Sequence, residues 1–364
     1  MFAIIFVCAL QNILLGTGVE ASVPAYSHSL GTQLVHLIAG AYGQDNEQKS
    51  CIKKFAKQRF GSSGAARFLN RHPVADCDGY GNQCSMYVVE VVKSSRLRIA
   101  VPQLIFVFEG TTHFAQLLVQ AWEVLKSMDD FTIASGYTFG KVNRYFMRVF
   151  LILWPFVEGY ITAYKSHELW FLGHSLGGAV AALAAFLTRV YDLRRSSMVK
   201  VITLGQPRVG NPKFATEYDS LVPNTDRVVN GLDIVSHLYP CEKASRIAPL
   251  SNGATACSQS KMNGYYHHGR EKWYNRGTNR SQFIDCTGKP TNEDLACSNS
   301  HNFGGLGLIF KSGDHFATHR TYFGHWLWFY GDAGCDDNLE QEKIAGESPD
   351  EALAYNNPED AVPW

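Results

Sequence analysis

The chain has 364 residues, 33 acidic and 33 basic side chains, and 46% hydrophobic residues. That length and composition allow one large domain or two ordinary ones around a sizeable core. A net charge of zero gives no basic field to attract nucleic acid or to hold the chain electrostatically on a membrane.

The first residues carry an apolar run, Ala3 to Leu15, broken by Gln11 and Asn12, with no charge before Glu20. Small residues follow near Ala21, so residues 1–21 read as a secretory signal, although the basic residue that usually precedes such a run is missing. A buried N-terminal helix is the alternative. No later stretch reaches the roughly 18 apolar residues of a membrane span. The nearest, Val149 to Val157, is bounded by Arg148 and Glu158 and holds Pro155, which predicts a buried element and no transmembrane segment.

Nine cysteines are present, and removal of Cys8 with the signal would leave an even set. That pattern predicts disulfides and an extracellular destination. Proximity suggests Cys77 with Cys84 and Cys286 with Cys297, the remaining pairing being open. There is no C-x-x-C pair, and His267-His268 lacks a second pair of ligands, so no metal site is expected. Asn279-Arg280-Ser281 is an N-glycosylation acceptor.

Ser29 to Tyr42 has the apolar spacing of an amphipathic helix. Tyr87–Val92, Leu97–Val101 and Leu104–Phe108 read as successive strands. His113 to Met128 carries a helical stripe (Phe114, Leu117, Leu118, Ala121, Trp122, Leu125). A helix over Val142–Tyr164, a strand over Val199–Leu204, a helix over Pro212–Leu221 and a strand over Arg227–Asn230 follow. Strand and helix alternate, which predicts an α/β fold with a mostly parallel central sheet. From Cys241 to His301 the patterning fades, and the segment reads as a disulfide-tied insertion of loops and short strands. The domain is placed at 22–335, and the acidic tail, 336–364, is expected to lack structure.

The chain's chemistry centres on Leu169-Trp-Phe-Leu-Gly-His-Ser-Leu-Gly177 and the alanine-rich run after it. A bare G-x-S-x-G arises by chance in roughly one chain in ten of this length. Here an apolar strand precedes it and a strong helix follows, the context that lifts a serine oxygen above a sheet. A serine so placed needs a histidine to take its proton and a carboxylate to orient that histidine. In this fold the order is serine, acid, histidine. Asp233 closely follows a β-branched run, where a strand end would hold it over the site, and Asp226 is its competitor. His315, His319 and His325 are all available as the base. Leu176, after the serine, and the turn Glu109-Gly110-Thr111 are the candidate oxyanion donors.

Five stretches together resemble the fungal-type (class 3) lipase family, in particular its secreted, cysteine-rich animal members. They are Val107-Phe-Glu-Gly-Thr-Thr112, Gly173-His-Ser-Leu-Gly-Gly178, Thr203-Leu-Gly-Gln-Pro-Arg-Val-Gly-Asn211, Asn230-Gly-Leu-Asp-Ile-Val-Ser-His237 and His319-Arg-Thr-Tyr-Phe-Gly324. The resemblance implies an α/β-hydrolase with Ser175 as nucleophile, Asp233 as acid, His319 as base, and Thr111 and Leu176 as oxyanion-hole residues. It also implies a lid at His113–Trp122, no cofactor, and a lipid ester met at a lipid–water interface as the partner. No protein partner is implied. Three residues depart from the family pattern. Glu109 stands where arginine is usual, Ser236 replaces a proline, and Thr318 replaces the aspartate before the base, which keeps His315 as a rival. The expected function is a secreted triacylglycerol lipase. Phospholipase A1 or soluble-ester (feruloyl-type) esterase activity is the alternative, with an inactive lipid-binding protein as the alternative of another class.

Overall fold

A computed structural model describes residues 24–77, 83–111, 127–245, 247–288, 291–301 and 313–346. The expected signal (1–21) and lid (113–122) lie outside the described residues. At the centre is an eight-stranded sheet in the order β1-β2-β3-β6-β7-β8-β9-β10. These strands are β1 (Ala66–Val74), β2 (Cys84–Val91), β3 (Gln103–Phe108), β6 (Glu168–His174), β7 (Val199–Leu204), β8 (Thr225–Asn230), β9 (Arg270–Tyr274) and β10 (Ile284–Cys286). The five strands from β3 to β9 run parallel, and antiparallel β1-β2 and β10 extend the two edges. A separate hairpin, β4 (Met128–Thr132) and β5 (Thr138–Asn143), lies off the sheet.

Leu104–Phe108 of β3 and Leu169–Leu172 of β6 are continuous apolar runs because both faces of the sheet are covered. Leu104, Phe106, Phe108, Leu169 and Phe171 face α3 (Arg144–Ala163), α4 (Leu176–Val190) and α5 (Pro212–Leu221). Ile105, Val107, Trp170 and Leu172 face α1 (His28–Gly40) and α2 (Asp45–Phe60). The second helix has acids in its first turn, bases in its last and Gly61 in the left-handed region at its end, φ 72°, which matches the dipole and gives the cap glycine favours. Among the described residues one helix, α3, is long and apolar enough to cross a membrane. Its inner stripe of Phe146, Val149, Phe150, Leu153, Val157 and Ile161 is buried in the core.

Several expectations change. Leu97–Val101 is a turn closed by Ser94 and Ile99 rather than a strand, with Arg98 at φ 56°. Met128, placed at the end of a helix from sequence, begins β4. The Cys241–His301 segment is more than an insertion, since β9 and β10 are strands of the main sheet. Buried ion pairs hid β9: Lys272 reaches Asp226 at 3.5 Å and Glu271 faces Arg227 at 3.8 Å. The tail starts with a helix, Asp337–Gly346, instead of lacking structure from 336. Its Glu340, buried, accepts from Trp326 N–H at 2.7 Å and lies 2.9 Å from His325 Nδ1.

Four disulfides join Cys51–Cys335, Cys77–Cys84, Cys241–Cys257 and Cys286–Cys297. The two short-range pairings are those expected from proximity. The Cys51–Cys335 bond spans 284 residues and ties α2 to the start of the tail.

Buried histidines make an acid-sensitive fold. Burial lowers His36 to about 4, and His174 and His237 to about 3, and it takes His267 and His268 well below the usual range. The unfolded chain therefore takes up protons from about pH 6.5 downward while the folded chain does not, and stability falls with pH by about 1.4 kcal/mol per unit per group. Glu109, Glu168, Asp219 and Glu271, all raised by burial, act in the opposite direction. We expect urea midpoints to drop between pH 6.5 and 5; a flat or rising midpoint would contradict the histidine accounting.

Candidate active site

Ser175 occupies the turn between β6 and α4 at φ 57°, ψ −127°, a left-handed conformation that a serine adopts only where its surroundings enforce it. The surroundings are glycine. A Cβ on Gly173 would collide with the backbone of Gly177 and Gly178, and one on Gly177 would collide with the carbonyls of Phe108 and Glu109. The two glycines of the motif thus let α4 start directly against the ends of β3 and β6. Ser175 N–H donates to Leu204 O at 2.9 Å, which fixes the elbow to the end of β7. The Ser175 hydroxyl is buried, with no hydrogen-bond partner among the described residues.

The other predicted members converge at the same carboxyl ends of the parallel strands. Asp233 follows β8, and His319 lies in α6 (Gly313–Arg320). The His319 Nδ1–H donates to the Asp233 carboxylate at 3.0 Å from each oxygen. Tyr322 O–H adds a bond of 2.6 Å to Oδ2, and Val235 N–H one of 2.9 Å to Oδ1. Burial pushes the Asp233 carboxyl up, but the His319 charge and the hydrogen bonds from His319 and Tyr322 outweigh it, so the group lies below its usual range and stays ionised. Gly205, the residue after Leu204, is the seam: a Cβ there would meet Asp233 Oδ2 at 2.6 Å and His319 Nδ1 at 2.8 Å.

Asp226 is not in this group. It sits near the start of β8, bonded to Lys200 Nζ at 2.5 Å and close to Lys272. His325 is engaged with Glu340 and stacks on Tyr330 at 3.7 Å. His315 lies in α6 four residues before His319.

His174, the residue before the nucleophile, is not placed as the base. Its Nε2–H donates to the carbonyl of His319 at 2.8 Å, and its Nδ1 accepts from Tyr42 O–H at 2.6 Å. Burial, with His319 beside it, lowers His174 to about 3. It is therefore a neutral ring of fixed tautomer, its centroid 4.5 Å from that of the His319 ring and tilted 31° to it. Tyr42 comes from the end of the N-terminal helix region, and nothing in its sequence context marked it. Tyr322 stands in the Tyr-Phe-Gly stretch after His319, where the sequence does not mark its hydroxyl as a partner of the acid.

Gly110 and Thr111 leave β3 beside the elbow. A Cβ on Gly110 would strike Tyr42 Oη and the carbonyl of His174. Glu109 is turned onto β1 and β2: Ser85 O–H donates to its carboxylate, Arg71 Nη2 lies 3.9 Å away, and its own N–H donates to Ser85 O at 3.0 Å. Burial raises Glu109, while Ser85 and Arg71 lower it. The sign reversal at this position is thus matched by a cation supplied from β1. Leu176 opens α4 at its positive end, where backbone N–H groups have no intrahelical acceptor. Among the described residues, Glu271 with Cys286 and Cys297, and His325 with Asp337 and Glu340, cluster closely enough to suggest a metal. Both cysteines are in a disulfide, and Asp337 is bonded to Lys54 at 2.9 Å.

A central parallel sheet with a serine elbow, a histidine and a carboxylate at the strand ends defines the chain as an α/β-hydrolase. Residues 105–243 match the family model described as lipase (class 3). A Caenorhabditis elegans lipase is 35% identical over 322 residues, covering 86% of this chain and 84% of that protein. A Rhizopus niveus lipase is 30% identical over 199 residues, 53% of this chain and 43% of the relative. In structure, the Rhizomucor miehei triacylglyceride lipase aligns with a TM-score of 0.57 at 23% identity, covering 80% of this chain and 92% of that one. The chain belongs to the class 3 lipase family and is a carboxylic ester hydrolase.

Proposed function

We propose that this protein is a secreted triacylglycerol lipase that works through Ser175, His319 and Asp233. The observation that carries the reading is the His319–Asp233 pair at 3.0 Å, packed against the strained elbow of a buried Ser175. In the reaction, Ser175 Oγ attacks the ester carbonyl as His319 Nε2 takes its proton. Asp233 stabilises the resulting imidazolium. The carbonyl oxygen becomes an oxyanion held by Leu176 N–H and by Thr111. Collapse expels the glyceride alcohol, which receives the proton from His319. Water, deprotonated by the same ring, then attacks the acyl-enzyme and releases the fatty acid. No cofactor enters these steps.

Four disulfides and the apolar N-terminal run support an extracellular site of action. The N-glycosylation acceptor Asn279 is exposed in the turn after β9, where a glycan would meet no core residue. The lipid–water interface is the proposed meeting place with substrate.

The test is fatty-acid release from emulsified triacylglycerol by the purified secreted protein, beside Ser175→Ala. We expect release by the parent and a loss of roughly 10⁴-fold or more in the variant. Release confined to the sn-1 chain of phospholipid would reassign the enzyme as a phospholipase A1, and release from soluble esters alone as an esterase. If neither protein frees acid from any of these, the chain is a lipid-binding relative.

A further inference from the structure

We propose that Asn230 is a positioning residue for the base, a proposal that rests on the triad reading above. Asn230 is the last residue of β8 and is 6% exposed. Its side-chain amide donates to Thr318 O at 2.9 Å and to Thr321 O at 2.5 Å, carbonyls on either side of His319. Its Oδ1 accepts from Thr278 N–H at 3.0 Å. Three of the four hydrogen bonds a carboxamide can make are thus accounted for.

The same residue holds the acid through its main chain. Asn230 O accepts from Asp233 N–H at 2.9 Å. Asn230 N–H donates to Tyr322 Oη at 3.3 Å, the hydroxyl that in turn donates to Asp233. Acid and base are separated by 86 residues, and Asn230 fastens both to β8, which lies between two parallel neighbours.

Physical need explains the residue type. The half-buried Thr318 carbonyl lies in the last turn of α6 and that of Thr321 just beyond it, where carbonyls without intrahelical donors need another source. Asn230 supplies two donors from one rigid group. A general base must lie within hydrogen-bond reach of the nucleophile, and a displacement of about 1 Å costs on the order of 100-fold in rate.

Asn230→Asp isolates the donors, because a carboxylate still accepts from Thr278 N–H but faces the two carbonyls as an anion. Asn230→Ala removes the group without adding charge. Both are compared with the parent on a soluble ester, with kcat referred to sites counted by end-point labelling of Ser175 with a fluorophosphonate. Misfolded molecules then do not enter the rate. We expect kcat per labelled site to fall roughly 10- to 100-fold in both variants, with KM within about twofold. In Asn230→Asp the midpoint of the kcat/KM pH profile rises as well, because a new anion beside His319 favours its protonated form. A purely structural role would lower the number of labelled sites and leave both quantities unmoved. If kcat per labelled site stays within about threefold in both variants, the proposal is wrong while the triad reading stands. An active His319→Ala variant would remove the triad reading and this proposal together.

Discussion

Asp233→Asn should lower turnover by roughly 10³- to 10⁴-fold while leaving a folded protein. The amide is nearly isosteric with the carboxylate, and the site offers it a fitting arrangement. Its oxygen can accept from Val235 N–H, now 2.9 Å from Oδ1, and its NH₂ can face the Tyr322 hydroxyl, now 2.6 Å from Oδ2. What is lost is the charge. Both carboxylate oxygens lie 3.0 Å from His319 Nδ1, so the variant presents that nitrogen with a donor as well as an acceptor, and the wrong tautomer becomes accessible. Even in the right tautomer the imidazolium forms beside a neutral amide in a buried site. Asp226→Asn is the informative partner. Asp226 is tied to Lys200 and Lys272 at the other end of β8, so its loss should weaken folding and leave kcat per folded molecule within a few fold. Steady-state kinetics with melting curves on both variants provide the check. Equal kcat losses in the two, or near-parent kcat in Asp233→Asn, would remove Asp233 from the acid role.

The contrast between these aspartates shows what the chain makes legible. Elements whose burial is uniform announce themselves: β3 and the middle of β6 are continuous apolar runs, α5 starts at a proline, and the elbow couples a strand to an alanine-rich helix. Elements whose burial is mixed do not. Edge strand β1 alternates exposed and half-covered residues and carries Arg67, Arg71 and Pro73. In α2 the buried stripe includes Gln48 and Cys51, one donating to the Gly43 carbonyl and the other bonded to Cys335. Strand β9 buries Glu271 and Lys272, whose partners come from distant segments. For the site, the residues left three histidines and two aspartates open, and family order singled out one of each. The supporting contacts were not legible, because Tyr42, Asn230 and Tyr322 act through bonds to groups 88 to 132 residues away.

The largest stability effect should come from the same kind of distant pairing. Arg208, in the Gly-Gln-Pro-Arg stretch after β7, donates from Nε and Nη2 to Glu293 at 2.7 and 2.8 Å, and from Nη1 to Tyr239 O at 3.1 Å. Glu293 also accepts from His267 N–H at 2.9 Å and Asn299 at 2.7 Å. Burial pushes the Glu293 carboxyl up, yet Arg208, the His267 N–H and the Arg227 charge bring it below its ordinary range. A carboxylate satisfied on both oxygens is ionised, and its partner guanidinium is buried with it. Glu293→Gln leaves the Arg208 charge without a counter-ion, which costs about 3–5 kcal/mol for a buried pair. For a domain this large that corresponds to a fall of roughly 10 °C in melting temperature. The loss should reach the acid loop, because Arg208 also donates to the carbonyl of His237 and its own N–H donates to Leu238 O at 2.6 Å. Arg208→Met with Glu293→Leu removes both charges, and it should recover part of the loss but not the carbonyl contacts. Thermal and urea unfolding of the two variants measure this. A melting temperature for Glu293→Gln within about 2 °C of the parent would mean that Arg208 is compensated elsewhere, and that the segment after Cys241 is held to the sheet by its disulfides and strands alone.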